Sequence, residues 1–331
     1  MGKRQLRRKK SQQNKVKTRK PEATEPKKPG KEKDRKNFIL NFYDRKYKLL
    51  MILPFVVLLL AFVQIGYQDV TTGDFMNKGV SLKGGITVTI PVSETDLTSD
   101  SLEKQIKSNY PNTDFNIRTL STPTEGTVGF VVEANIVEDN ERKDFVDKVT
   151  EITSVPEEEM NIDLMGPSLG QSFFIQTIKA MIFAFVLMGI VVFLYFRTFV
   201  PSIAVMISAF SDIVVTLAVV NILGIKMSTA GIAGFLMLIG YSIDTDILLT
   251  TRVLREKTGD VFERTIGAAK TGLTMSVSTI IAVSLAITFS QSEVLNQIMT
   301  IVLIGLIVDI LNTWLQNVGL LRWYVERKGI E

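Results

Sequence analysis

Residues 173–196 read FFIQTIKAMIFAFVLMGIVVFLYF, a run of 24 residues whose one charge is Lys179. An α-helix of about 20 apolar residues crosses the hydrocarbon core of a bilayer, which is roughly 30 Å thick. Lys179 lies toward one end of the run, where its long side chain can extend to the membrane surface. This stretch therefore predicts a transmembrane helix and places the chain among the integral membrane proteins.

Five further apolar runs predict a polytopic α-helical membrane protein with six transmembrane helices. They cover residues 49–67, 200–223, 228–251, 271–289 and 295–321. Cytoplasmic loops are rich in Lys and Arg. The segments on the side of the basic N-terminus contain Arg197, Arg252, Arg255, Lys257, Arg264, Arg322, Arg327 and Lys328, whereas the short loops opposite contain only Lys226. We therefore expect a multi-pass protein of the cell membrane with both termini cytoplasmic.

The domain boundaries follow from these spans. We assign residues 46–68 to the first transmembrane helix, 69–170 to a domain outside the cell, 171–323 to the other five helices and 324–331 to a cytoplasmic tail. Residues 1–36 contain 16 Lys/Arg and four Asp/Glu, so residues 1–45 are predicted to be a disordered cytoplasmic tail. Such a tail could bind nucleic acid, but contact with anionic lipid or with the ribosome is the simpler interpretation.

The outer segment predicts an acidic α+β domain. Residues 68–170 contain 19 Asp/Glu and eight Lys/Arg. Alternating or amphipathic patterns predict strands at 85–91, 114–120, 126–135 and 160–165, with helices at 99–110 and 139–153. The order β-α-β-β-α-β is typical of a ferredoxin-like fold. We attribute its acidity to solubility rather than to a ligand site, since it contains neither a glycine-rich phosphate loop nor a metal-spaced cluster.

The composition argues against an enzyme. The chain has no cysteine and no histidine, which removes thiolate chemistry, the commonest general base and the commonest metal ligand. No nucleophile–base pair is apparent either. The sequence predicts no catalytic residue, no cofactor and no metal site.

Four carboxylates inside the apolar runs are the strongest functional signal. They are Asp212, Asp244, Asp246 and Asp309. A charged Asp at the centre of a membrane helix costs roughly 2.5–3.5 kcal/mol, so it usually faces protein or water and serves a function. The alternative is a helix-packing hydrogen bond, worth about 1–2 kcal/mol. Four acids in three helices favour an ion pathway.

Spacing refines the set. Ser208 and Thr216 lie four residues from Asp212 and share its helix face. Asp244 and Asp246 are about 200° apart on their helix, so only one of them points into the pathway. We hypothesise that Asp244 pairs with Lys270 of the fifth helix, and that protonation of the carboxylate breaks this pair and lets the helices shift. The alternative for Lys270 is a lysine that extends to the cytoplasmic surface.

Four motifs resemble those of the SecF family, the partner of SecD in protein export within the resistance–nodulation–division superfamily. They are GVSLKGG at 79–85, GPSLG at 166–170, DIVVT at 212–216 and GYSIDTDILLTTRVLRE at 240–256. The fold implied is a six-helix half of such a transporter. We assign the ion pathway to Asp212, Asp244, Asp246, Lys270 and Asp309 from their positions inside the spans, and the resemblance covers all of these except Asp309. Helix packing or hinges are assigned to the motif residues Gly79, Gly84, Gly85, Gly166, Pro167, Gly170 and Gly240.

Three positions depart from the family pattern. Ser81 replaces an acidic residue, Thr245 occupies the position of the family's carboxylate, and Lys270 occupies that of an arginine, so the branch is a distant, archaeal one. The resemblance implies SecD, the Sec protein-conducting channel and a translocating polypeptide as partners, and a proton gradient as the energy source. Two alternatives are an exporter of a lipid or drug from the same superfamily, and a non-catalytic scaffold of the translocation complex.

Overall fold

The computed structural model describes residues 31–91, 98–111, 113, 115–122, 126–256, 259–290 and 292–329. Within them, six helices are long and apolar enough to cross a membrane, which confirms the predicted count. Numbered along the chain together with the helices of the outer domain, the first five are α1 Lys31–Thr72, α5 Pro167–Phe196, α6 Phe199–Ile222, α7 Thr229–Arg255 and α8 Val261–Phe289. The sixth span consists of α9 Glu293–Leu311, a π-helical segment Asn312–Asn317 and α10 Val318–Lys328.

The first helix is longer than predicted at its N-terminal end. It begins at Lys31, so residues 31–45, which we had assigned to a disordered tail, are helical. Lys, Arg and Glu are good helix formers, and no glycine or proline separates this charged stretch from the apolar helix that follows. Residues 1–30 of the predicted tail lie outside the described residues.

The outer domain has the predicted ferredoxin-like order. Its elements are α2 Val80–Lys83, β1 Gly85–Pro91, α3 Ser99–Asn109, β2 Phe115–Thr122, β3 Gly126–Ala134, α4 Asp139–Thr153, a 3₁₀ turn Glu157–Glu159 and β4 Asn161–Met165. The four strands form an antiparallel sheet in the order β2-β3-β1-β4. The predicted bounds agree within two residues, although Asp114 of the second predicted strand and Lys257 of the third cytoplasmic segment lie outside the described residues.

Only one face of this sheet carries the hydrophobic core. Ile86, Val88 and Ile90 of β1 are fully buried, and they pack with Leu102 of α3 and Phe145 of α4. Successive strand residues point to opposite faces, so the residues between them point away from the helices. The second face carries polar side chains, among them Thr87 and Glu133, beside the buried Val131.

Glycines join the domain to the membrane helices. Gly84 has φ of +94°, and a Cβ there would lie 2.7 Å from Pro167, the first residue of α5. Gly170 lies against Gly84, and Gly79 donates a backbone hydrogen bond of 2.8 Å to Met227 before α7.

Three other motif glycines behave differently. A Cβ at Gly85, whose φ is +137°, would lie 2.4 Å from the carbonyl oxygen of Ala134, so it serves packing within the domain. At Gly166 and Gly240 a Cβ would meet no atom within 4 Å. The backbone of Gly166 nevertheless lies against Gly84, where a Cβ would come within 3.1 Å of the Gly166 carbonyl carbon. The packing that we assigned to Gly240 is not made within the described part of this chain.

Candidate ion-coupling site

Three of the four predicted carboxylates meet inside the helix bundle. Asp212 on α6, Asp246 on α7 and Asp309 on α9 each have an exposed fraction of 0%. The sequence explains the burial of Asp212, because Ser208 and Thr216 continue its polar face and are also fully buried. We call these three carboxylates the acid cluster.

Asp212 and Asp309 form the first half of the acid cluster. Asp212 Oδ1 accepts a 2.7 Å hydrogen bond from Asn312 Nδ2, and its Oδ2 accepts one from the Ser242 hydroxyl. Asp309 Oδ2 accepts a 3.1 Å hydrogen bond from the Thr245 hydroxyl.

Asp246 forms the second half and is linked to the first through Thr313. Its Oδ1 accepts hydrogen bonds from Asn317 Nδ2 at 2.7 Å and from the Ser208 hydroxyl at 3.4 Å. The Thr313 hydroxyl lies 3.0 Å from Asp246 Oδ1 and 3.0 Å from Asp309 Oδ1. A hydroxyl has one hydrogen to donate, so Thr313 can serve only one of the two carboxylates at a time.

The π-helical segment supplies most of these polar groups. Asn312, Thr313, Gln316 and Asn317 are all fully buried. A π-helix makes i→i+5 hydrogen bonds and often marks a functional site. Thr313 and Gln316 lie four and seven residues after Asp309 and continue its helix face, and all four polar side chains of the segment reach the inner side.

Several buried oxygen atoms of this region have no hydrogen-bond partner. They are Asp246 Oδ2, Asn312 Oδ1, Asn317 Oδ1, Gln316 Oε1 and Thr216 Oγ1. Four of the five are acceptors only, and a buried acceptor without a donor costs about 1–3 kcal/mol. The region therefore has more acceptors than donors, which is the arrangement that a bound proton or small cation satisfies.

The acid cluster also lacks a positive partner. Each side-chain hydrogen-bond donor to its carboxylates is a neutral Ser, Thr or Asn within the described part of the chain. Like charges that share a buried site cannot all be ionised at once. This is an arrangement that bound protons or another cation would neutralise. Within the described ranges, no group of three or more Asp or Glu side chains has the arrangement expected of a metal site.

The fourth carboxylate lies elsewhere. Asp244 and Gly240 are exposed on the opposite face of α7, as the 200° separation from Asp246 predicts, and Lys270 is exposed on α8. Among the residues the structure describes, Asp244 and Lys270 form no ion pair with each other or with a third group. The pairing that we hypothesised for them is not present in this chain.

Sequence reasoning missed four polar residues of the site. Ser242 and Thr245 lie one helical turn or less from Asp246, and Thr313 and Gln316 lie within the π-helical segment. The sequence NTWLQN at 312–317 carried a signal, because four polar residues in six are rare inside an apolar span.

Comparisons with known proteins agree with this architecture. The family described as "Protein export membrane protein SecD/SecF, C-terminal" matches residues 145–327. A protein-export membrane protein SecF of Methanolacinia petrolearia is 38% identical over 88% of this chain and 97% of its own length. The chain belongs to the SecF family. The SecF of Pyrococcus furiosus is also 38% identical, over 86% of this chain and 93% of its own.

Both relatives of this SecF family member come from archaea, as the departures in its motifs predicted. The crystal structure of SecDF, a translocon-associated membrane protein from Thermus thermophilus, shares the fold, with a TM-score of 0.66 at 16% identity. The match covers 84% of this chain and 38% of that one. The chain thus spans well under half of the SecDF polypeptide.

Proposed function

We propose that this chain acts with SecD in protein export, and that it uses the proton gradient through the acid cluster. The observation that carries the proposal is the complete burial of Asp212, Asp246 and Asp309 on three membrane helices without a basic partner in the described residues. Three carboxylates kept for packing alone would be costly, because amides could make similar hydrogen bonds without the cost of burying a charge. The chain acts as a transport subunit and not as an enzyme.

Thr313 gives the acid cluster a way to couple proton binding to helix position. When Asp246 is protonated, it no longer competes for the Thr313 hydrogen, and that hydrogen can go to Asp309. When Asp309 is protonated, the preference reverses. Because α7 carries Asp246 and the π-helical segment carries Thr313, a change in protonation alters the contact between these two elements.

We further propose that SecD covers the face of α7 and α8 that bears Asp244 and Lys270. Charged side chains facing lipid near the bilayer centre are costly, and both side chains are exposed on the single chain. The solved SecDF polypeptide is much longer than this chain, which leaves room for a second half to occupy this face. The Asp244 carboxylate then has its partner on SecD.

The remaining parts of the proposal concern the location of the protein in the cell and its orientation in the membrane. The protein lies in the cell membrane beside the Sec channel, with both termini in the cytoplasm and residues 69–170 outside, where they meet the translocating polypeptide. The distribution of Lys and Arg supports this orientation. The basic N-terminal residues bind anionic lipid at the cytoplasmic surface, at about 1 kcal/mol per Lys or Arg.

The test compares amide variants in a secretion assay. Asp212→Asn, Asp246→Asn and Asp309→Asn are each expressed with SecD, and Glu103→Gln, an exposed position on α3, is the matched amide variant outside the acid cluster. We expect the three cluster variants to co-purify with SecD yet lose the part of secretion that a protonophore abolishes. A sodium ionophore is applied in parallel. Secretion that is sensitive to this ionophore alone would identify sodium, and not protons, as the coupling ion. Normal gradient-dependent secretion by all three would reduce the chain to a scaffold.

A further inference from the structure

The polar face of the outer sheet carries a row of three side chains. Thr87 on β1 pairs directly with Glu133 on β3 and with Asp163 on β4. Directly opposed residues in antiparallel strands point to the same face, with Cβ atoms about 4.5–5.5 Å apart. Two carboxylates therefore flank one small hydroxyl on the face that points away from the core helices.

A cavity of about 330 Å³ lies between this row and the outer ends of α7 and α9. Part of its wall is apolar, including Val80, Leu164 and Val294, and part is polar, including Ser81, Thr229 and Gln297. No Lys or Arg lines it among the described residues. Its size falls at the lower end of the range of ligand pockets, about 300–1,000 Å³.

Glu133 gives the cavity an unsatisfied acceptor. Its exposed fraction is only 7%, and its Oε1 accepts a 2.8 Å hydrogen bond from Arg118 Nη2. Its Oε2 is buried and has no hydrogen-bond partner. Arg118 does not line the cavity, so it satisfies Glu133 from another side. Asp163 is exposed, which leaves the cavity open to a ligand.

We propose that this cavity binds the ammonium or guanidinium group of a lysine or arginine on an extended polypeptide segment. The cationic head lies between Glu133 and Asp163, where charge-assisted hydrogen bonds are the strong ones. The apolar wall covers the methylene stem, as it does wherever Lys and Arg side chains are half-buried. β4 is an edge strand of the sheet, so an extended segment can lie beside it.

The proposal deepens the proposed function, on which it rests, by giving the translocating polypeptide a first contact outside the membrane. It also changes our interpretation of the domain's acidity. Most of the acidic residues serve solubility, but Glu133 and Asp163 are placed by strand register on one side of one cavity. A basic side chain that has just left the membrane region would meet them first.

The test measures peptide binding by the full chain in nanodiscs, without an ion gradient. The probe is a fluorescent peptide of serine and valine with one central lysine, and its matched control has norleucine there. We expect the lysine peptide to bind about tenfold more tightly, which corresponds to about 1.4 kcal/mol. Glu133→Gln and Asp163→Asn should each remove this preference, while Glu103→Gln on the exposed side of α3 should keep it.

A further variant protects the test against misfolding. Thr87→Lys places an ammonium group between the two carboxylates from within the chain, so it should abolish the lysine preference in a folded protein. Equal affinity for the two peptides, or an unchanged preference in both carboxylate variants, would overturn the site. Because no gradient is present, loss of coupled secretion with an intact lysine preference would count against the proposed function alone.

Discussion

Replacing Thr313 by valine tests the link between the two halves of the acid cluster. Valine has nearly the shape of threonine, so the change removes a hydroxyl without opening a large cavity. The hydroxyl lies 3.0 Å from Oδ1 of both Asp246 and Asp309 and can donate to one of them at a time. One charge-assisted hydrogen bond is therefore lost, which contributes about 1.5–3 kcal/mol. We expect the free energy of unfolding to fall by that amount.

The same change should have a second effect that stability alone does not predict. Without the shared hydrogen, the protonation of Asp246 no longer alters the contacts of Asp309, so gradient-dependent secretion should fall toward the level seen with a protonophore. One charge moving through 100 mV supplies about 2.3 kcal/mol, which is a bias of about 45-fold at 1.4 kcal/mol per tenfold. The loss of gradient-dependent secretion should approach about 45-fold when one proton is coupled per cycle.

Two matched variants separate these effects. Thr313→Ser keeps the hydroxyl and loses one methyl group, so it should keep coupling and cost about 0.8 kcal/mol or less. Thr274→Val removes a hydroxyl from an exposed position on α8, where it bonds only to its own helix, and should change neither quantity. Chemical unfolding in detergent and secretion with and without protonophore are the measurements. A Thr313→Val protein with unchanged stability and unchanged coupling would refute the reasoning.

Three further predictions concern the joints and faces of the molecule. Gly84→Ala should destabilise the folded chain by more than about 1 kcal/mol, because the φ of Gly84 is +94° and a Cβ would lie 2.7 Å from the start of α5. Gly166→Ala should be tolerated in the same unfolding assay, because a Cβ at that position meets open space. The pKa of Tyr110 is raised above its usual value of about 10, chiefly by burial and next by a hydrogen bond to a carboxylate on α4. The folded form therefore keeps the phenol proton to a higher pH than the unfolded form does. The free energy of unfolding should decline as pH rises above about 10, and it should decline less steeply in Tyr110→Phe. Gly240→Trp should reduce co-purification with SecD, whereas Gly240→Ala should not, since the position is open on this chain.

The sequence predicted the transmembrane architecture and the outer domain because each depends on local patterns. Long apolar runs at 173–196 and elsewhere are sufficient for membrane helices, and alternation in β1 is sufficient for a strand with one buried face. The sheet order followed from the order of the elements. The start of α1 was misplaced because composition describes the solubility of residues 31–45, and their helical propensity is a separate property.

The choice between Asp244 and Asp246 shows where local sequence patterns are no longer sufficient for a prediction. Helical geometry predicted that the two point in opposite directions, and the structure confirms this. Periodicity alone could not say which direction faces the bundle. Position within the spans led us to pair Asp244 with Lys270, whereas burial identifies Asp246, which packs with helices far from it in sequence.

The π-helical segment completes the acid cluster. Asn312, Thr313 and Gln316 lie three, four and seven residues after Asp309, so the α-helical repeat already places them on its face. In the structure they are fully buried, and Asn317 at the end of the wider turn joins them on the inner side. A π-helical turn is less favourable than an α-helical one and is seldom long. It is stabilised here by Asn312, Thr313 and Asn317, which donate hydrogen bonds to carboxylates on two other helices. If proton binding weakens those contacts, the segment can return toward α-helical geometry, and that change would rotate α10 relative to α9 without breaking the span.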